Sequence, residues 1–379
     1  MHAHLAAACL FAIGVAGCAE RPSGAAGGDE SGLSQLELVG KRVFFDTALS
    51  NPPGQSCGSC HDPATGFSGN FGGTAGVPLA ADRVTPGLRN TPTASYARFT
   101  PAFTLTTAGT HQVARGGQFL DGRASSLEDQ AGMPFFSAGE MNLASVAQLS
   151  ERLAAAAYAP LIREEFGAAI FSDPQELLHA VTRAIAAFER TDRFAPFSSK
   201  LDNALAGDGA LSDLEQEGLR LFVDPLKGNC TACHAFDPES GVASDRIFTD
   251  FSYHALGVPR NDRIPANADP AFFDLGLCGP KRARVADDTL CAAFKVPTLR
   301  NVGRKQALMH NGVFATLRDA VAFHARRGSG SPLDVPAAMR ASIDLAVRPL
   351  GLDEGEIDAV TAFLRTLDDG FGPSRIPPM

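Results

Sequence analysis

The same spacing of apolar and polar positions occurs twice along the chain. Leu33-Ser34-x-Leu36-Glu37-x-x-Gly40-x-x-x-Phe44 returns as Leu211-Ser212-x-Leu214-Glu215-x-x-Gly218-x-x-x-Phe222. In each copy a Ser is followed three residues later by Glu, the pattern of a capping box that opens an amphipathic helix. Further on, Leu177, Leu178, Val181, Ile185 and Phe188 recur at helical spacing, as do Ile357, Val360, Phe363 and Leu364. Each set predicts a helix that buries one face. Ala180-Val181-Thr182 and Ala359-Val360-Thr361 mark the same place in both. Between the outer helices lie two more matches. Pro86-x-Leu88-Arg89-Asn90 pairs with Pro297-x-Leu299-Arg300-Asn301, and Asp121-Gly122-x4-Leu127-x-Asp129 with Asn311-Gly312-x4-Leu317-x-Asp319. The chain therefore reads as a duplicated, mainly α unit with long loops. The halves are residues 33–196 and 197–379, divided near Ala195 to Ser199.

The cysteines give this repeat its chemistry. Cys57-Gly58-Ser59-Cys60-His61 and Cys230-Thr231-Ala232-Cys233-His234 both read C-x-x-C-H, the pattern of c-type haem attachment. Two thiols about one helical turn apart suit thioether bonds to the two vinyl groups of one haem. The His that follows then offers its imidazole to the iron. A zinc site or a thioredoxin-like pair is the competing reading. The fold class is thus two tandem cytochrome c-like domains, each with one covalent haem. Cys278 and Cys291 have no metal-like spacing. In an oxidising compartment they form a disulfide, the alternative being two free thiols.

The N-terminus agrees with export. Leu5 to Gly17 is an Ala-rich apolar run too short to span a bilayer. Val15-Ala16-Gly17-Cys18 resembles a lipoprotein cleavage site, which makes residues 1–18 a signal peptide and Cys18 the lipidated residue. A soluble signal peptide cut nearby is the alternative. Residues 19–32 are rich in Gly, Ser and Ala and read as a flexible tether. The expected location is the periplasm, with a lipid anchor. The 379 residues carry a net charge of −9, which argues against a nucleic-acid partner. There is no Trp.

The repeat also separates the two haems. An offset of 190 residues places Gly122 on Gly312 and Pro134 on His324. Proline has no ligating atom, whereas His324 has an imidazole. The second haem is then ligated by His234 and His324, and the first has an open distal face. Met309 and His310 are the alternatives for the second haem. His111 is the alternative for the first, since no His lies between it and His61. A bis-His haem has a lower potential than a His/Met one.

Taken with the two C-x-x-C-H motifs, Phe119-Leu120-Asp121-Gly122-Arg123-Ala124, Glu140-Met141-Asn142 and Lys295-Val296-Pro297-Thr298-Leu299-Arg300-Asn301 resemble the bacterial di-haem cytochrome c peroxidases and the MauG group. The resemblance spans about residues 33 to 367. It implies a peroxide-reacting haem in the first domain, an electron-transfer haem in the second, and a calcium ion between them. It implies that Glu140 is the distal acid/base and Gln130 a distal hydrogen-bond donor. For Glu140 a surface carboxylate at a helix start is the competing reading. The resemblance also implies that Asn90, with the carbonyls of Lys305 and Ala307, holds the calcium. Leu120 stands where family members usually have Trp, so it cannot relay electrons, and the adjacent Phe119 is a poor substitute. Arg89, Arg123 and Arg300 are candidates for the haem propionates, and His254 and His310 for supporting contacts.

The leading function is reduction of hydrogen peroxide with electrons from a small redox protein, a cytochrome c or cupredoxin. The second is MauG-like oxidation of a partner protein. The third is a non-enzymatic electron carrier, which requires both irons to be six-coordinate. A homodimer is compatible with all three.

Overall fold

A computed structural model of the chain describes residues 30–109, 111–279, 290–326 and 349–374. The expected signal peptide, Cys18 and most of the expected tether lie outside these residues. Residues 33–379 form one unit. No helix among the described residues is long and apolar enough to cross a membrane.

The first half is built on helices α1 (Gln35–Phe44) and α6 (Pro174–Glu189). Between them lie α2 (Cys57–Cys60), α3 (Leu127–Gly132), α4 (Val146–Ala155) and α5 (Ala159–Phe166). The second half contains α7 (Lys200–Leu205), α8 (Asp213–Val223), α9 (Leu317–Arg326) and α10 (Glu354–Arg365). Helices α1 and α8 start as the repeat requires. The Ser34 and Ser212 N–H groups each donate to the Glu three residues on, and both Ser hydroxyls accept in return.

Each half has its own core. Val39, Phe44, Phe135, Val181, Ile185 and Phe188 are among the buried residues of the first. Leu221, Phe222, Val321, Ile357, Val360 and Phe363 are among those of the second. Three smaller apolar clusters join the halves. Tyr96 packs with Phe197, Ile247 and Phe251, Ala114 with Tyr253 and Leu277, and Val77 with Ile264.

The connecting segments include two small antiparallel sheets. Strands β1 (Thr104–Ala108) and β2 (His111–Arg115) form a hairpin in register Thr104 to Arg115. Strands β3 (Tyr253–His254) and β4 (Phe294–Lys295) pair Tyr253 with Lys295. A bridge from Arg115 to Ser252 lays the hairpin against the second half. Cys278 and Cys291 are joined by a disulfide.

Candidate functional site

The two C-x-x-C-H segments, an α-helical turn in the first half and a 3-10 turn in the second, hold their His in the same way. Cys57 and Cys60 lie on the single turn of α2, and the His61 N–H closes it on the Cys57 carbonyl at 2.8 Å. His61 Nδ1 lies 3.0 Å from the Phe67 carbonyl oxygen. A carbonyl can only accept, so Nδ1 carries the proton and Nε2 keeps its lone pair for a metal. In the second half the His234 N–H donates to the Cys230 carbonyl at 2.8 Å, and His234 Nδ1 lies 3.0 Å from the Phe248 oxygen. Phe67 and Phe248 have φ of 56° and 57°. That left-handed conformation is uncommon for an aromatic residue, and at both places it belongs to the residue whose carbonyl orients the His.

Burial lowers the pKa of both imidazoles, so both are neutral and fit to ligate. The four Cys of the motifs are unpaired. Burial pushes the Cys60 and Cys230 thiols up to about 12 and raises Cys57 further. Protonated, buried thiols one turn apart suit thioether attachment better than a thiolate metal site.

Each segment opens on a cavity. Cys60, His61, Gln130 and Glu140 line the first. Gln130 lies on α3. Glu140 follows a 3-10 turn over Pro134–Phe136 and is held by its backbone. Its N–H donates to the Ser137 oxygen at 3.0 Å, and its carbonyl accepts from the Ala81 N–H at 2.9 Å. Cys230, Cys233, His234 and His324 line the second cavity. Leu317, Ala320, Val321 and His324 form one face of α9, and all four face that cavity. In the first half the matching helix α3 ends at Gly132, and Pro134 starts the 3-10 turn. The different fates of the aligned Pro134 and His324 thus follow from the backbone as well as the side chain.

The other candidate ligands share the second cavity. Met309 and His310 line it. The His310 ring stacks on Phe294 at 3.8 Å, and burial pushes its pKa down to about 4. His254 Nε2 lies 3.5 Å from Cys233 Sγ and 3.0 Å from Ser252 Oγ. The side chain of His111 is outside the described residues.

The charged residues divide differently from the expectation. Arg89 and Arg123 line the first cavity. Both are already paired: Arg89 binds Asp274 at 2.6 and 2.7 Å and Asp121 at 2.8 Å, and Arg123 binds Asp121 at 3.0 Å. Arg300 lines neither cavity and is locked to Asp202. Two lysines that the sequence reading gave no side-chain role face the cavities instead. Lys295 lines both, and Lys305 lines the second. Lys295 Nζ donates to the Gly117 oxygen, and Lys305 Nζ to Ser68 Oγ and, at 2.9 Å, to the Thr91 oxygen. Among the described residues neither forms an ion pair. Burial drops Lys295 to about 7 and Lys305 to about 8. Half-buried lysines on the cavity walls without carboxylate partners fit a group that brings its own anions, as the propionates of haem do. In the sequence Lys295 stands in an apolar run and Lys305 beside Arg304, and local spacing distinguishes neither from a surface residue.

Glu189, at the end of α6, was also missed. It lines the first cavity, and its Oε2 has no hydrogen-bond partner. Burial raises its carboxyl to about 8, so it is mainly neutral at pH 7. Asn90 joins the halves: its N–H donates to the His310 oxygen at 2.7 Å. Its Nδ2 lies 2.7 Å from the Ala307 oxygen and 3.2 Å from that of Met309. Turning the amide over brings Oδ1 to the two carbonyls, a donor set that suits a hard cation. Leu120 lines both cavities, and its carbonyl accepts from the Lys295 N–H at 2.9 Å.

Residues 34–210 match the family model described as di-haem cytochrome c peroxidase. The methylamine utilization protein MauG of Paracoccus denitrificans is 37% identical over 352 residues, covering 88% of each chain. A cytochrome c551 peroxidase of Nitrosomonas europaea is 31% identical over 290 residues, covering 76% of this chain and 72% of the other. Among solved structures, the diheme peroxidase BthA of Burkholderia thailandensis superimposes with a TM-score of 0.83 at 36% identity, covering 91% of each chain.

Proposed function

The chain belongs to the di-haem cytochrome c peroxidase family, and from that premise we propose that hydrogen peroxide is reduced in the first cavity. The chain is accordingly an oxidoreductase acting on peroxide. One haem is attached at Cys57 and Cys60 with His61 as iron ligand, the other at Cys230 and Cys233 with His234 and His324. When bound, the haem of the first cavity supplies the iron at which the O–O bond is broken. Glu140 would take a proton from one peroxide oxygen and return it to the other. Gln130 donates a hydrogen bond to the charge that develops. Electrons come through the second cavity from a small donor protein, a cytochrome c or cupredoxin.

The observation that carries this reading is the shared cavity of His61, Gln130 and Glu140, with Pro134 at the repeat position that His324 holds in the other half. Stopped-flow absorbance of the holoprotein mixed with one equivalent of peroxide tests it. Glu140→Gln should slow the haem spectral change about 100-fold or more while both haems stay attached. An unchanged rate removes Glu140 from the proton path.

A second reading is oxidation of a partner protein, favoured by the 37% identity to a MauG protein. Leu120 weighs against long-range transfer by an inter-haem Trp. Further parts of the proposal are a calcium ion at Asn90 with the carbonyls of Lys305 and Ala307, and a periplasmic location with a lipid anchor at Cys18. The Cys278–Cys291 disulfide supports an oxidising compartment.

A further inference from the structure

The chain has no Trp and only three Tyr. Few side chains can therefore surrender an electron near the first cavity, and the three tyrosines are not equivalent. The Tyr253 hydroxyl donates to the Gly116 carbonyl at 2.7 Å, and a carbonyl is a poor final acceptor for a proton. The Tyr158 hydroxyl donates to Asp46 at 2.6 Å, but Tyr158 lines neither cavity. Tyr96 lines the first cavity and is 2% exposed. Its hydroxyl lies 2.9 and 3.0 Å from the two carboxylate oxygens of Asp369.

The surroundings favour one mode of oxidation. A phenol that loses an electron becomes a strong acid, so it must pass its proton to a base already in contact. Asp369 is that base. It is kept in place by the Ser198 N–H at 3.0 Å and by Asn301 Nδ2 at 2.9 Å. The Phe197 N–H donates to the phenol oxygen at 3.1 Å and steadies it as the proton leaves. The Arg300 guanidinium lies 5.3 Å from the ring centre. Its charge disfavours a cation radical on the ring, so electron and proton must leave together.

We propose that Tyr96 is a redox-active residue of the first cavity, giving one electron to the peroxide-oxidised haem there and its phenolic proton to Asp369. The O–H bond of Tyr96 breaks and an O–H bond forms on Asp369. The haem site is reduced by one electron, and a neutral tyrosyl radical is left beside a carboxylic acid. The radical stores one of the two oxidising equivalents of peroxide until the donor protein returns an electron and Asp369 returns the proton. Tyr96 thereby offers a redox side chain in a molecule whose inter-haem position is Leu120. The proposal rests on the peroxide-reacting reading of the first cavity.

The test is freeze-quench electron paramagnetic resonance of the diferric holoprotein mixed with one equivalent of peroxide, with haem absorbance followed in parallel. The expected result is an organic radical whose hyperfine structure narrows in protein grown with ring-deuterated tyrosine. Tyr96→Phe should abolish it, and Tyr158→Phe should leave it intact. Asp369→Asn keeps the phenol but removes the base, and should cut the radical yield at least tenfold. Haem absorbance reports whether each variant is folded and loaded, and the labelled wild type gives its answer without any variant. A change in haem absorbance with no tyrosine radical overturns the proposal and leaves the peroxide reading standing. A tyrosine radical that survives in Tyr96→Phe also overturns it. No change in haem absorbance overturns both.

Discussion

Arg300 has no side-chain exposure, and its partner Asp202 is 2% exposed. The guanidinium binds Asp202 at 2.6 and 3.0 Å, the Arg246 carbonyl at 2.7 Å and Ser199 Oγ at 3.2 Å. It also sits within 5.5 Å of the ring centres of Tyr96, Phe197 and Phe248. Removing one partner leaves an uncompensated buried charge, so Asp202→Asn should cost about 3–5 kcal/mol. Denaturant unfolding of the holoprotein at pH 7 measures this, and a loss below about 1 kcal/mol would contradict it. Burial alone raises the Asp202 carboxyl, but Arg300 overrides burial and holds it below the usual carboxylate range. The carboxylate's contribution is therefore complete above the unfolded pKa and is lost as pH falls through the folded one. The stability gap between wild type and Asp202→Asn should narrow in acid. At this scale legibility was uneven. The thiol and imidazole chemistry was local and could be read from five residues. The partner of Arg300 was not, because Asp202 is 98 positions away and no spacing rule links them. Nor was the burial of Lys295 and Lys305 legible, since it depends on how the two halves meet.

At the level of elements, the most informative residues are the two glycines in the repeated Leu-Ser helices. A Cβ on Gly40 of α1 would lie 1.9 Å from the Ala184 carbonyl oxygen on α6. A Cβ on Gly218 of α8 would lie 2.0 Å from the Ala359 oxygen on α10. Both obstacles are backbone atoms and cannot rotate away. The helices that close each half must then be pushed off the helices that open it. Ala gains up to about 1 kcal/mol over Gly in intrinsic helix preference. Overpacking costs roughly 1–3 kcal/mol and more where backbone must move, so the clash wins. Gly40→Ala and Gly218→Ala should each lower the thermal midpoint. Gly241→Ala, whose Cβ meets nothing within 4 Å, should not. Equal midpoints for all three would show that the crossings relax freely. These helices were legible because capping boxes and apolar stripes are local patterns. The β1–β2 hairpin was not. Its second strand, His111–Arg115, has no clean apolar alternation, and its partner at Ser252 belongs to the other half.

Across the whole molecule, the two cavities share a wall that includes Leu120 and Lys295. The Lys295 backbone is fixed twice, by pairing with Tyr253 and by its N–H bond to Leu120. Its side chain is tied to the Gly117 carbonyl. Its ammonium, when protonated, thus faces both cavities. A buried cation stabilises an added electron nearby, at roughly 1–2 kcal/mol for about 10 Å and an effective dielectric of 20. Lys295→Met should therefore lower both midpoint potentials, each by some tens of millivolts. Burial already depresses the lysine to about 7, whereas haem carboxylates beside it would hold its proton more firmly. As pH rises and the ammonium deprotonates, both wild-type potentials should fall, and this shared component should vanish in Lys295→Met. Spectroelectrochemical titration separates the outcomes. A fall at one haem alone would place the charge in one site, and no fall at either would mean that solvent screens it. A fall at both would identify Lys295 as the electrostatic link between the two cavities whose shared wall it forms with Leu120.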